Sequence, residues 1–235
     1  MYTKILGYKV FNGTKEEFIK EILKRNKSNI ISGNPEILFN GLNDEKLNST
    51  FNAEDAIIIP DGVGTVIASK LVKDPVKEKI AGIEVMHEVL LQSVKEGKGI
   101  YLLGAEEEVL QSCVKNIKRD IKGINIVGVH NGFFDLNNCE DLINDIKSKN
   151  PWAIFVAMGS PRQEKFINLI KDDTNCKVYM GVGGSFDIFA GKLTRAPKWM
   201  QKLGLEWVHR VVREPWRIKR LGAIPKFLFL VVKNR

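Results

Sequence analysis

Short apolar runs alternate with amphipathic helical patterns through most of this 235-residue chain. The runs are four to six residues long and lie at 56–59, 100–103, 124–129, 152–157 and 177–182. Strands that are covered by helices on both faces are apolar along their whole length, and strand–helix alternation is typical of a parallel sheet. The sequence therefore predicts an α/β fold, a parallel sheet with helices on both of its faces.

Two helix starts carry specific signals. Thr14 followed by Glu17 is a capping box, which predicts a helix to about Asn26. Asn34 precedes Pro35, the preferred arrangement of an N-cap residue with proline in the first helical position.

The segments that follow the predicted strands are the places to look for a ligand, because ligands of parallel sheets bind beyond the carboxyl ends of the strands. Most of these segments contain glycine, which lets a ligand approach the backbone. Each leads into a helix, and helix N-termini favour an anion such as a diphosphate.

Several classes of function are disfavoured by missing motifs. No Gly-x-Gly-x-x-Gly follows the first predicted strand and no Gly-Lys-Ser/Thr occurs, which argues against dinucleotide oxidoreductases and P-loop NTPases. No Asp-x-Asp pair is present to hold a divalent metal on a diphosphate, so the sequence predicts a site without metal or other cofactor. The three cysteines are too few and too scattered for a disulfide framework.

Four polar residues at these strand ends are candidates for chemistry. Asp61 follows a buried run and could act as a general base, or could cap the next helix. Asn34 could contact a ligand or be an ordinary N-cap, and Ser32 ends the same strand. Gln163 opens a helix and could bond a sugar or base, or be a solvated first-turn residue.

The positive charge of the chain is concentrated at its carboxy-terminal end. Residues 192–235 contain 12 Lys and Arg against 2 acidic residues, a net of +10, whereas the whole chain has a net charge of +8. Three of the four tryptophans also lie there. We predict an α/β core at 1–191 and a basic, Trp-rich helical appendage at 192–235.

This appendage has amphipathic patterning. Leu205, Trp207 and the valines that follow fall on one half of a helical wheel that ends at Pro215. Arg217 and Arg220 then share a face of a short second helix, and Pro225 is expected to break the helix again before the apolar run 227–232. Such helices suit a bilayer interface, and arginines bind diphosphate in bidentate fashion.

The sequence also predicts where in the cell the protein is located. No apolar signal segment follows the amino terminus, and six apolar residues reach about 9 Å as a helix, against roughly 30 Å of hydrocarbon. We therefore expect a cytoplasmic protein that binds the inner face of the plasma membrane. A solvated helical face whose tryptophans pack on the core, and a nucleic-acid-binding arm, are the alternatives for the basic segment.

A set of stretches, in order from near residue 30 to residue 220, supports a more specific interpretation. They are Asn34-Pro-Glu36, Pro60-Asp-Gly-Val-Gly64, Asn131-Gly-Phe-Phe134, Gly159-Ser-Pro-Arg-Gln-Glu164, Gly181-Val-Gly-Gly-Ser-Phe-Asp187, Arg195-Ala-Pro-Lys-Trp199 and the run from Leu205 to Arg220. Together they resemble the WecG/TagA/CpsF glycosyltransferases, most closely the TagA-type N-acetylmannosaminyltransferases.

The resemblance implies a Rossmann-like fold of the GT-E type and an inverting, metal-independent enzyme. It would move N-acetylmannosamine from UDP to the 4-hydroxyl of N-acetylglucosamine on undecaprenyl diphosphate, for wall teichoic acid or a related surface polysaccharide. Its partners would be these two substrates, an anionic membrane surface and, in solution, a second copy of the chain, but no nucleic acid. A catalytically inactive scaffold for polysaccharide enzymes is a further alternative.

The resemblance also implies roles for individual residues. Asp61 would be the base, and Arg210, Arg217 and Arg220 would complete the site at the membrane. The residues expected to bind the substrates are Ser32, Asn34, Lys79, Gly104, Phe134, Gln163 and Asp187.

This sequence departs from the family pattern at two places. Ser32 replaces a threonine and keeps the hydroxyl. The usual Arg-x-Thr-Gly-x-Asp stretch is Lys79-Ile-Ala-Gly-Ile-Glu84 here, and lysine lacks the bidentate geometry of arginine. A different UDP-sugar donor is therefore the alternative within the family.

Overall fold

A computed structural model describes residues 1–215 and 218–234, which form two compact units. The first unit contains Met1–Phe18, Ser32–Ala81 and the segment from Thr194 onward, and the second contains Ile19–Ile31 and Gly82–Leu193. The predicted boundary between residues 191 and 192 lies two residues before the chain returns to the first unit. The roles predicted for the two sides of that boundary stay predictions.

The strands and helices of the described residues have the following bounds. The strands are β1 (Tyr2–Ile5), β2 (Tyr8–Phe11), β3 (Ser28–Ser32), β4 (Ala56–Ile59), β5 (Gly99–Gly104), β6 (Asn125–His130), β7 (Ala153–Ala157) and β8 (Val178–Gly181). The helices are α1 (Lys15–Lys24), α2 (Pro35–Leu42), α3 (Glu45–Phe51), α4 (Val63–Leu71), α5 (Gly82–Lys95), α6 (Glu107–Asp120), α7 (Glu140–Lys149), α8 (Arg162–Ile170), α9 (Ser185–Phe189), α10 (Lys198–Lys202), α11 (Glu206–Arg213), α12 (Ile218–Leu221) and α13 (Ala223–Lys233).

The second unit contains five parallel strands in the order β3-β8-β7-β5-β6. The apolar residues 100–103 of β5 and 153–156 of β7 are fully buried, as expected of strands covered on both faces. The connections β5–α6–β6 and β7–α8–β8 run in opposite directions along the sheet. Because such connections are right-handed, α6 and α8 lie on opposite faces. The predicted α/β class, with a mostly parallel sheet and flanking helices, is confirmed.

The first unit contains β1, β2 and β4. β2 is parallel to β4, whereas β1 and β2 form an antiparallel hairpin that was not predicted from the sequence. The hairpin turns at Leu6 and Gly7, both with positive φ, at 49° and 87°. Leucine rarely adopts this conformation. Because the turn residues are Leu-Gly, the hairpin also lacks the Asn-Gly or Asp-Gly signal by which such turns are recognised.

Both predicted helix starts are confirmed. The Thr14 backbone N–H donates to Glu17 Oε2 at 2.8 Å, and the Glu17 N–H donates to Thr14 Oγ1 at 3.2 Å, which completes the capping box. Asn34 Oδ1 accepts from the Ile37 N–H at 3.0 Å and caps α2.

The carboxy-terminal segment is helical, with one difference from the prediction. Pro225 does not break the chain into two elements, because it lies in the first turn of α13, where a backbone N–H has no partner within the helix. Phe227 and Val231 are buried, and α13 packs against α2 and α4. Within the two described ranges we find no helix long and apolar enough to span a bilayer.

Candidate functional site

The predicted site residues divide between the two units. In the first unit, Asp61 directly follows Pro60 at the carboxyl end of β4, and its backbone N–H donates to the Ile59 carbonyl at 2.8 Å. Gly62, with φ of 90°, is the N-cap of α4 and makes no side-chain cap. Gly62, and not Asp61, therefore occupies the N-cap position of this helix.

The segment after β3 is tied to the segment after β4. The Gly33 N–H donates to the Ile59 carbonyl at 2.9 Å, and Thr65 Oγ1 donates to the Gly33 carbonyl at 2.5 Å. A Cβ added at Gly62 would lie 3.8 Å from the Cβ of Asn34. These contacts bring the Asn34 and Asp61 segments side by side.

Asn34 uses its side-chain oxygen to cap α2, so the N-cap interpretation is confirmed. Its amide Nδ2 is the group that would donate to a ligand. Ser32 is half-buried at the end of β3, and its carbonyl accepts from the Asn34 N–H at 2.8 Å. The structure therefore places Ser32, Asn34 and Asp61 at one edge of the first unit.

Lys79 lies in a segment that is bonded to the Asp61 turn. The N–H of the next residue, Ile80, donates to the Pro60 carbonyl at 3.1 Å, which holds the Lys79 segment against the Asp61 turn. Lys79 Nζ lies 3.7 Å from Glu206 Oε2, and the other carboxylate oxygen of Glu206 accepts from Arg195 Nε at 3.3 Å. The sequence reading assigned no role to Glu206, although it is one of two acidic residues in a strongly basic segment.

The structure describes the three arginines predicted to complete the site to different extents. Arg210 is half-buried on α11. Arg217 lies outside the described residues. Arg220 belongs to α12, but its side chain also lies outside what the structure describes.

In the second unit, β5 and β7 are neighbours whose connections leave in opposite directions, the arrangement at which ligands bind in open α/β sheets. Gly104 ends β5 with φ of 125°. A Cβ at this position would lie 2.4 Å from the Ala157 carbonyl oxygen, so only glycine fits. The Ala105 N–H donates to that carbonyl at 2.8 Å, which joins the two strand ends.

Gln163 connects the loops that follow β7 and β8. Its Oε1 accepts from the Gly183 N–H at 3.0 Å, and its Nε2 donates to Glu164 Oε1 at 2.7 Å. Gln163 is 3% exposed, so the alternative of a solvated first-turn residue is wrong. A buried amide in this position holds the two loops in a fixed arrangement.

The ring of Phe134 packs inside the unit. It contacts the rings of His130 and Phe166 edge to face, with centroid distances of 5.5 Å and 5.3 Å. The guanidinium of Arg162 lies 5.3 Å from its centroid and also donates to its carbonyl oxygen. By contrast, the adjacent Phe133 is 74% exposed. Arg162, in the first turn of α8, fixes this loop and was missed by the sequence reading.

Asp187 lies in the first turn of α9, which packs against α6. Burial and then the charge of Asp187 raise the pKa of the Cys113 thiol of α6 to about 12. Gly104 thus ends a strand of the second unit, and Phe134, Gln163 and Asp187 lie on loops or helix starts that follow its strands.

Comparison with known proteins identifies the family. Residues 3–235 match the model of the glycosyl transferase WecG/TagA/CpsF family, which is nearly the whole chain. The chain belongs to this family. As a member of the WecG/TagA/CpsF family, it is a glycosyltransferase.

Two curated relatives in the family share the name N-acetylglucosaminyldiphosphoundecaprenol N-acetyl-β-D-mannosaminyltransferase. The protein of Bacillus subtilis (strain 168) is 38% identical over 201 residues, which cover 86% of this chain and 77% of the relative. The protein of Staphylococcus aureus (strain MW2) is 34% identical over 237 residues, which cover 98% of this chain and 92% of the relative.

The described residues offer no group of three or more His, Cys, Asp or Glu side chains that could hold a metal ion. Metal independence stays a prediction. Among the cations of the first unit, Lys79, Arg195 and Arg210 could balance the negative charge of a diphosphate there.

Proposed function

We propose that this chain transfers N-acetylmannosamine from UDP-N-acetylmannosamine to the 4-hydroxyl of N-acetylglucosaminyl-diphosphoundecaprenol, with inversion at the anomeric carbon and without a metal ion. One observation carries the proposal: the segments of Asn34, Asp61 and Lys79 lie side by side in the first unit. The curated relatives of this family are named for the transfer of N-acetylmannosamine to N-acetylglucosaminyldiphosphoundecaprenol.

The chemistry follows from a single displacement. Asp61 takes the proton of the acceptor hydroxyl while that oxygen bonds to the anomeric carbon, and the bond from this carbon to the UDP oxygen breaks on the opposite side. UDP leaves with added negative charge. Lys79 and Arg210, with Arg217 and Arg220, stabilise that charge more in the transition state than in the ground state.

The second unit supplies the proposed nucleotide site. Gly104 lets the end of β5 pack directly against the Ala157 backbone at the end of β7, and Gln163 fixes two neighbouring loops. Asp187 and the Phe134 loop complete the set of substrate-binding residues. The position of these loops at a topological switch point supports the assignment.

We further propose that residues 192–235 attach the enzyme to the inner face of the plasma membrane. Eleven large apolar side chains are exposed in the described residues, and seven of them lie after residue 193. They are Trp199, Leu203, Trp207, Val212, Ile218, Phe229 and Val232. Exposed apolar groups within a segment of net charge +10 are typical of binding to an anionic bilayer surface.

A panel of UDP-sugars tested against a short-chain, lipid-linked N-acetylglucosamine acceptor checks the proposal. We expect turnover with UDP-N-acetylmannosamine and an inverted product. Preference for another UDP-sugar would support the alternative of a different donor, which the departures from the family pattern at Lys79, Ala81 and Glu84 suggested. No turnover with any donor would support a scaffold, and salt-dependent DNA binding without liposome binding would support the nucleic-acid alternative.

A further inference from the structure

The two acidic residues of the basic carboxy-terminal segment both point inward. The side chain of Glu206 is 20% exposed, and Glu214 is 9% exposed. Glutamate side chains on a protein surface are mostly exposed to solvent, and in a segment with 12 cations a carboxylate could find a partner there. Glu206 instead makes two specific contacts.

The two oxygens of Glu206 hold two different cations. Oε1 lies 3.3 Å from Arg195 Nε, and Oε2 lies 3.7 Å from Lys79 Nζ. The side chains of Arg195 and Lys79 are 23% and 26% exposed, so all three groups are shielded from much of the solvent. Without the carboxylate, the two cations would repel each other at short range.

These contacts determine where α11 lies in the first unit. Glu206 is the first residue of that helix, where a carboxylate is also favoured by the helix dipole. Two residues before it, a Cβ at Gly204 would lie 2.9 Å from the side chain of Val63, in the first turn of α4. The start of α11 is therefore packed beside the turn that carries Asp61.

Glu206 and Arg210 are four residues apart and share one face of α11. When Glu206 is held by Lys79, the face that carries Arg210 is turned towards the Lys79 segment. That segment is in turn bonded to Pro60, the residue before Asp61.

We propose that Glu206 is a positioning residue for the transfer reaction. It acts through Lys79 and Arg195 to fix α11, so that Arg210 and the ammonium of Lys79 are held where the diphosphate charge develops. This inference rests on the proposed function.

The test compares Glu206→Gln, which keeps the shape and removes the charge, with Glu206→Asp, which keeps the charge. The matched control is Glu21→Gln, because Glu21 of α1 pairs at 3.0 Å with Arg25, the residue after that helix, and both residues lie in the second unit. We expect Glu206→Gln to lower kcat roughly tenfold to hundredfold with KM for the UDP-sugar nearly unchanged. Glu206→Asp should recover part of that loss, and the control should stay within about twofold of wild type.

A second measurement does not depend on turnover. Hydrogen exchange of the α11 amides should accelerate in Glu206→Gln and not in Glu21→Gln. If Glu206→Gln matched the control in both kcat and exchange, the positioning role would be wrong. Faster exchange with unchanged kcat would reduce Glu206 to a structural contact. If the wild-type enzyme were inactive, the proposed function would be wrong. Even then, unchanged exchange of the α11 amides in Glu206→Gln would show that Glu206 does not hold this helix in place.

Discussion

The side-chain oxygen of Gln163 accepts a hydrogen bond from the backbone N–H of Gly183 at 3.0 Å. Gln163 is on the first turn of α8 and Gly183 is in the loop after β8, so one buried amide joins two strand-end loops of the second unit. This contact makes the proposed nucleotide site depend on a residue that need not touch the ligand.

Gln163→Leu keeps the volume of the side chain but leaves the Gly183 N–H without its acceptor. Leaving such a group unsatisfied costs about 1–3 kcal/mol. We expect a lower thermal midpoint and weaker UDP binding, both measurable by calorimetry. Gln111→Leu, on the exposed surface of α6, is the control and should change neither. UDP affinity equal to wild type would show that the two loops do not form the nucleotide site.

Asp61→Asn tests the base. The substitution keeps the shape at the end of β4 and removes the proton acceptor, so we expect kcat to fall by about 10²–10⁴-fold. UDP affinity should not change. Asp141→Asn, on the exposed first turn of α7, should retain full activity. Near-complete kcat in Asp61→Asn would remove Asp61 from the mechanism.

The parts of this fold that the sequence predicted are those whose signals are local. A fully buried parallel strand is apolar at each position, as in 100–103, and the Thr14–Glu17 box is closed by residues three apart. The β1–β2 hairpin was missed because Leu6 adopts a positive φ that its residue type disfavours. Pro225 was misread because proline is tolerated in a first helical turn.

The site shows the same division. Asp61, Asn34 and Gln163 could be found because each follows a predicted strand. The burial of Gln163 could not, since it depends on the Gly183 loop 20 residues away. The role of Glu206 depends on Lys79, which is more than a hundred residues earlier in the chain. Long-range pairs of this kind leave no periodic signal in a single sequence.

Removal of divalent metal should leave the rate unchanged. The proposed site balances the charge of departing UDP with cationic side chains and helix N-termini. Turnover in saturating EDTA, compared with turnover in added Mg²⁺ or Mn²⁺, measures this directly. A strict requirement for either ion would contradict the prediction.

The buried thiols predict a loss of stability at alkaline pH. Burial raises the pKa of Cys113 to about 12 and that of Cys176 to about 11, from an ordinary value of 9.0. Because the folded-state values are higher, the unfolded chain releases these protons first, and stability falls as pH rises from about 9 towards 11. The effect is up to roughly 1.4 kcal/mol per pH unit for each thiol. Thermal midpoints at pH 8 and 10 check it, and Cys113→Ala should reduce the difference.

Membrane attachment can be tested on α13, which offers a matched pair of phenylalanines. Phe227 is fully buried, whereas Phe229, two residues later, is 66% exposed. Residues two apart on a helix point in different directions, so one side chain belongs to the core and the other to the surface. Removing the whole segment would also remove Phe227 from the core, which makes deletion a poor test of attachment.

Phe229→Ser should therefore weaken binding to anionic liposomes and leave the thermal midpoint unchanged. Burying a phenylalanine side chain contributes about 1.5–3 kcal/mol, which corresponds to a loss of roughly tenfold to a hundredfold in affinity. Phe227→Ala should do the opposite, because emptying a core site of this size costs about 3–5 kcal/mol of folding stability. Sedimentation with liposomes and thermal unfolding separate the two effects. Turnover of Phe229→Ser on a soluble, short-chain acceptor should match wild type, since the substitution affects attachment and not the proposed catalytic groups. If Phe229→Ser bound liposomes as tightly as wild type, the exposed face of α13 would have no part in attachment.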